Sequence, residues 1–233
     1  MRLRNIPSAR DELAECSYVI DEEELRSFRG KWAQQFETLR GEAEPSSAVS
    51  QAEHPLHIEI GMGKGKFLLE LARRNPDINY IGIENYSSVL VHPARKLNAL
   101  AETGEPLRNI LLLRMNAEYL TEVFAPGEAD RIYLNFSDPW PKERHAKRRL
   151  PGRVFLGRYA LVLSPGGHVE FKTDNRSLFD FALEETKEAG WTLDACTYDL
   201  HRDPEMNEGT VMTEYEEKFS AQGHPICKLI EHP

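Results

Sequence analysis

From residue 56 onward, apolar positions come in short blocks separated by polar stretches with Gly, Pro and Asn. LHIEI (56–60), YIGIE (80–84), NILLLRM (109–115), DRIYLNF (130–136) and HVEFKT (168–173) read as strands, because runs this apolar suit a sheet covered on both faces. Helical spacing lies between them. Lys66 to Arg74 carries a stripe of Phe67, Leu68, Leu71 and Ala72 and stops at Asn75-Pro76-Asp77. A second helix runs toward Glu102. Ser87 or Ser88 offers a cap, but Pro93 moves the expected start toward His92, since proline belongs in a first turn. Arg153 to Leu163 is a third helix, ended by Ser164-Pro165-Gly166-Gly167, and Ser177 to Ala189 a fourth. WTLDACTYDL (191–200) and HPICKLIEH (224–232) bring the expected strands to seven. Alternating strands and helices predict an α/β fold with a mostly parallel sheet and helices on both faces.

Residues 1–55 follow no such rhythm. They read as an N-terminal arm with one short anchored helix around Trp32 and Phe36, then a Gly/Pro/Ser linker, GEAEPSSAVSQAEHP (41–55). Residues 56–233 read as the catalytic domain.

Composition changes this picture little. The chain has 233 residues, 40% hydrophobic and 29% charged, with no run apolar enough to span a membrane and no signal peptide pattern at the N-terminus. Cys16, Cys196 and Cys227 are far apart, so neither a disulfide framework nor a zinc site is expected, and a reducing cytoplasm fits. A net charge of −9 argues weakly against a nucleic-acid partner. Its distribution argues the other way: between Lys142 and Arg158 stand seven Lys and Arg against the single acid Glu143.

In parallel sheets ligands bind at the carboxyl ends of strands. Glu59, the loop Gly61-Met62-Gly63-Lys64-Gly65, Glu84, Asn116, Asp138 and Asp174 all lie at or just past such ends and are expected to converge. The loop is a poor phosphate loop, because Lys66 is followed by Phe67 and not by Ser or Thr. As a dinucleotide loop it has Gly65 one place early, although Glu84 sits where an acid would hold a ribose. Glu59 shifts the balance between the cofactors. A pyrophosphate would be repelled there, whereas S-adenosylmethionine carries a sulfonium and an ammonium. Gly61, Gly63, Gly65, Glu59 and Glu84 therefore point to a methyl donor, with Glu84 on its ribose hydroxyls. The Asn116 amide suits an adenine edge or a helix cap equally.

The most specific stretch is NFSDPWPKERHAKRRL (135–150). With EIGMGKGKF, YIGIE, FKTDN and TEYEEKF (213–219), it resembles the bacterial tRNA (guanine(46)-N(7))-methyltransferase family in its compact Gram-positive type, over a span from about residue 31 to the C-terminus. The resemblance implies a Rossmann-like class I fold that binds S-adenosylmethionine through Glu59, Glu84, Asn116 and Asp138, with Asp138 also the catalytic carboxylate. It implies contacts to guanosine or tRNA from Lys142, Asp174 and Thr213, Glu214, Tyr215 and Glu216, and RNA contacts from Arg144, His145, Ala146, Lys147, Arg148 and Arg149. It also implies a homodimer. The sequence departs from the family in the proline of Val91-His92-Pro93 and in the acidity of residues 11–24.

The chemistry is consistent with this. Guanine N7 has an in-plane lone pair and no proton, so its methylation needs alignment and a carboxylate near the developing cation, not a general base. Lys and Arg neutralise RNA phosphates without reading sequence. Trp140 either stacks on a base or packs, and Asp174 competes with a helix-capping role. Three other readings remain: a methyltransferase acting on an exocyclic amine, a non-catalytic tRNA-binding module, and a nicotinamide dehydrogenase.

Overall fold

The computed structural model describes residues 5–41 and 54–233, so most of the expected 41–55 linker lies outside the described residues. Chain order is α1 (Ala9–Ala14), β1 (Val19–Ile20), α2 (Trp32–Arg40), β2 (Leu56–Ile60), α3 (Lys66–Arg74), β3 (Asn79–Glu84), α4 (Ser87–Glu102), β4 (Ile110–Arg114), α5 (Leu120–Val123), β5 (Ala129–Asn135), α6 (Arg153–Val162), β6 (Leu163–Thr173), α7 (Arg176–Glu188), β7 (Thr192–Thr197), α8 (Pro204–Asn207), α9 (Glu214–Ser220) and β8 (Cys227–His232).

Eight strands form one sheet in the order β1-β4-β3-β2-β5-β6-β8-β7. Seven run in one direction; β8 alone is reversed, antiparallel to both β6 and β7. Alternate residues of each central strand supply the two faces. Ile81, Ile83, Leu111 and Leu113 enter one core with Trp32, Phe124, Tyr159 and Phe179, while Tyr80, Ile110 and Leu112 enter the other with Leu68, Leu90 and Leu97. The chain leaves β2 toward β3 and β4, then returns to place β5 on the other side of β2. The crevice at the carboxyl ends of β2 and β5 is therefore the topological switch point.

The short helices α1, α5, α8 and α9 were not expected, and three further departures stand out. The sheet has eight strands rather than seven, because Val19–Ile20 of the arm pairs with Leu112 and Leu113 at the edge. Two residues directly before an acidic run are too short to show a strand period. The arm is held by burial: Trp32 and Phe36 are fully buried, Trp32 Nε1 donates to the Val123 carbonyl at 3.0 Å, and Glu128 accepts from the Gly30 and Trp32 amides.

The second departure is α4, which starts at Ser87 and not near His92, with Pro93 inside it. Neither serine caps it; the Tyr86 carbonyl takes the Val89 and Leu90 amides, and Ser88 Oγ accepts from the Ile6 amide. A mid-helix proline costs about 3 kcal/mol. Packing offsets that cost, since Pro93 is buried against the glycine loop, where a Cβ on Gly65 would lie 2.7 Å from the Pro93 Cβ. Third, Ser164 to Gly167 do not separate helix from strand. They are part of β6, which pairs Leu163 with Ala129 and resumes register at His168 after a bulge. Among the described residues no helix is long and apolar enough to cross a membrane.

Candidate functional site

At the switch point β2 ends on Glu59 and Ile60 and turns through the three glycines, all at positive φ (79°, 58° and 79°). Only glycine takes this conformation without strain. The Gly61 and Met62 amides bond back to the Ile83 carbonyl, which fixes the loop to β3. A Cβ on Gly61 or Gly63 would meet nothing within 4 Å, so these two present bare backbone to open space. Gly65 has a packing role against Pro93, Met62 and Leu69.

Glu59 is 1% exposed. Its Oε1 accepts from Asn135 Nδ2 at 2.8 Å, and its Oε2 has no partner among the described residues. Burial pushes its carboxyl up to about 8, against the opposing pull of Asn135 and Lys172. Glu84, half-buried at the end of β3, accepts from the Tyr86 amide at 3.0 Å. Burial raises its pKa too, opposed by backbone N–H groups of Tyr86, Asn85 and Gly63 and reinforced by Asp138. Glu214 and Glu84 both raise Glu59. Four carboxylates therefore feel one another across a single sheet edge, and one of them holds a buried, unpartnered oxygen. Such an edge is built for a cationic ligand. S-adenosylmethionine, with its sulfonium and ammonium, is a ligand of that kind, and the bare glycine backbone leaves room for its approach.

Asn116 is exposed, and its Oδ1 accepts from the Glu118 amide at 3.0 Å. It does cap the short turn after β4, with its amide N–H groups still available on the same edge.

Beyond β5 the backbone is strained twice. Phe136 has φ of 52° and Trp140 of 42°, bracketing Ser137-Asp138-Pro139. Left-handed geometry at two aromatic residues costs of order 1–3 kcal/mol each, and it persists only where surroundings impose it. On one side the Phe136 amide bonds to the Lys172 carbonyl at 2.9 Å. On the other, Arg149 reaches the Pro139 and Trp140 carbonyls. The result is an exposed Asp138 at a fixed place past the strand end.

A second element closes this edge. Thr213 Oγ1 caps α9 by accepting from the Glu216 amide. From there α9 is tied to the start of α3 by Lys66–Glu217, and to the glycine loop by Lys96, which contacts Glu214 at 3.3 Å and the Lys64 carbonyl at 3.0 Å. It is tied to β6 by Lys172 Nζ–Glu216 Oε2 at 2.7 Å, with His201 Nε2 3.3 Å from the other Glu216 oxygen. Glu216 is fully buried and Tyr215 exposed. The Tyr215 ring lies 5.0 Å from Phe136 and 4.2 Å from Phe219, and its hydroxyl donates to Asp174 Oδ2 at 2.9 Å. Asp174 is not the cap of α7; that is Asn175, which accepts from the Leu178 amide.

Lys172 and Glu216 are a buried pair, and removing one partner of such a pair strands the other. Glu216→Gln should lower unfolding free energy by about 3 kcal/mol, read by urea denaturation; an unchanged midpoint would show that the pair carries nothing.

The basic block lies on the rim. Lys142, Arg144, Lys147 and Arg148 are exposed, while His145, Ala146 and Arg149 are half-buried. Arg148 sits 5.0 Å over the Trp140 ring and His145 meets its edge, so Trp140 packs under the block it introduces. Sequence reasoning passed over Asn135, Phe136, Lys172 and His201. An Asn and a Lys at the inner ends of apolar strands were the available signals, since a polar residue there must find a partner.

Fold and site together define a Rossmann-like methyltransferase. A solved structure described as an antibiotic-related methyltransferase shares this fold, with a TM-score of 0.61 at 19% identity over 86% of this chain and 94% of that one. The sequence model of a family described as "putative methyltransferase" matches residues 53–229. A tRNA (guanine-N(7)-)-methyltransferase of Lachnoclostridium phytofermentans is 50% identical, covering 99% of this chain and 97% of that protein. Its namesake in Bacillus subtilis is 45% identical, covering 98% and 97%. The chain belongs to the tRNA (guanine-N(7)-)-methyltransferase family.

Proposed function

We propose that the protein transfers the methyl group of S-adenosylmethionine to N7 of the guanine at position 46 in the variable loop of tRNA. The observation that carries this reading is the acidic sheet edge around Glu59 and Glu84, set beside Asp138 and rimmed by an exposed basic block. The cofactor supplies an electrophilic methyl on a sulfonium. Glu59, Glu84, Asn116 and the loop of Gly61, Gly63 and Gly65 hold it, and Asp138 borders both it and the base. Guanine N7 needs no proton removed, so Asp138 acts by its charge and by accepting from the N1–H or amine of guanine. Tyr215, anchored to Asp174, offers an aromatic face beside the turn, and Thr213 and Glu216 hold α9 in place under it. The reaction calls for no metal. The reading includes a homodimer in the cytoplasm, and sedimentation of the purified chain reports its oligomeric state.

The phosphate contacts fall to Lys142, Arg144, Lys147 and Arg148. Neutralising Arg144, Lys147 and Arg148 together should weaken tRNA binding and cut the slope of log Kd against log salt by about 0.7–0.9 per charge removed. An unchanged slope would refute the role.

The activity itself is tested by incubating the protein with S-adenosylmethionine and unmodified tRNA, then treating with borohydride and aniline, which cleave at the cationic N7-methylguanosine. Methyl incorporation without cleavage would assign the methyl to another atom, such as an exocyclic amine. No incorporation would leave a tRNA-binding module.

A further inference from the structure

We infer that Arg149 is a positioning residue that holds the Asp138 turn, and not one of the RNA phosphate contacts. The inference rests on the methyl-transfer reading above. Arg149 Nε lies 3.0 Å from the Pro139 carbonyl and 3.3 Å from that of Trp140, and Nη2 lies 3.1 Å from the Trp140 carbonyl. Its guanidinium carbon sits 4.4 Å over the Phe181 ring of α7. Its own backbone is fixed as well: the amide donates to the Ala146 carbonyl at 3.0 Å, and the carbonyl accepts from the Gly152 amide at 3.0 Å. The neighbouring Arg148 differs. It is exposed, and it rests over the Trp140 ring.

The turn needs such a clamp. Phe136 and Trp140 both occupy left-handed backbone, and chain relaxation at either would swing Asp138. Pairing with β6 secures the Phe136 end. The Trp140 end has Arg149, whose planar fork spans two successive carbonyls while its face stacks on a ring. Lysine offers a point charge with neither property. The basic block thus has two jobs: its exposed residues meet RNA, and its last arginine turns back to fix the carboxylate.

Two substitutions separate the alternatives. Arg149→Lys keeps the charge and loses the fork. At saturating tRNA it should lower kcat by about 10- to 100-fold with tRNA Kd unchanged, because misplacement of about 1 Å costs on that scale. Arg149→Gln should leave the salt slope of tRNA binding as in wild type, whereas Arg148→Gln should lower that slope. Phe181→Leu should lower kcat in the same direction as Arg149→Lys. Wild-type kcat in Arg149→Lys, or a slope reduced by one phosphate in Arg149→Gln, would overturn the inference. Should Arg149→Gln not fold, the kcat of Arg149→Lys alone decides. Absence of N7-methylguanosine from the wild-type reaction would instead sink the functional reading, and the Arg149→Gln salt slope would still test the clamp.

Discussion

Asp138→Asn should lower kcat by about 10²- to 10³-fold while tRNA affinity stays within a factor of about two, a split set by where the charge is needed. During the reaction positive charge moves from sulfur to the purine ring, so a carboxylate beside the ring is worth more in the transition state than in the ground state. Asparagine has the same shape and keeps one acceptor oxygen. Asp138 is exposed and sits in a turn held from both sides, so the change should leave the fold intact. Single-turnover rates at saturating tRNA, with filter-binding Kd, make the measurement. A large loss of tRNA binding at near-normal kcat would identify Asp138 as an RNA contact. A drop of less than tenfold would mean that acceptance of a hydrogen bond, which asparagine retains, outweighs charge.

The strands were legible because a parallel sheet covered on both faces demands apolar runs, and LHIEI, YIGIE and ILLLR contain little else. The gathering of Glu59, Glu84 and Asp138 at one sheet edge was legible for the converse reason: a charge at the carboxyl end of such a run faces the crevice there. Residues whose role is set by a distant partner were not. Asn135 meets Glu59 across 76 positions and Lys172 meets Glu216 across 44, and no local period marks either pair. Pro93 misled in the same way, since the loop it packs against is remote in sequence and overrides helix propensity. Arg149 looked like its neighbours because composition cannot tell a guanidinium turned to solvent from one turned to carbonyls.

Cofactor binding at pH 7 should release close to one proton, and Glu59 should be its source. In the ligand-free protein burial pushes this carboxyl up to about 8, so at pH 7 it is largely protonated. A ligand bearing an ammonium favours the ionised form and expels the proton. The same shift acts on stability. The folded state holds a proton that the unfolded state loses above pH 4.5, the ordinary carboxyl value. The stabilisation is therefore complete below pH 4.5 and falls away as pH rises through about 8, by on the order of 5 kcal/mol in total. Glu231, also buried and pushed up to about 7, adds a loss of the same sign. Without cofactor the melting temperature should thus fall from pH 5 to pH 8, and saturating cofactor should flatten that fall, because it binds the ionised state. Glu59→Gln removes the proton and the charge together. It should remove Glu59's part of the slope of stability against pH, leaving the parts of Glu231 and Glu84 and the opposing part of buried His57, weaken cofactor affinity by about 2–5 kcal/mol, and abolish proton release. Calorimetry at pH 7 in two buffers of different ionisation enthalpy counts the protons. An undiminished proton count in Glu59→Gln would place the titrating group elsewhere on the acidic edge and remove Glu59 from the cation site.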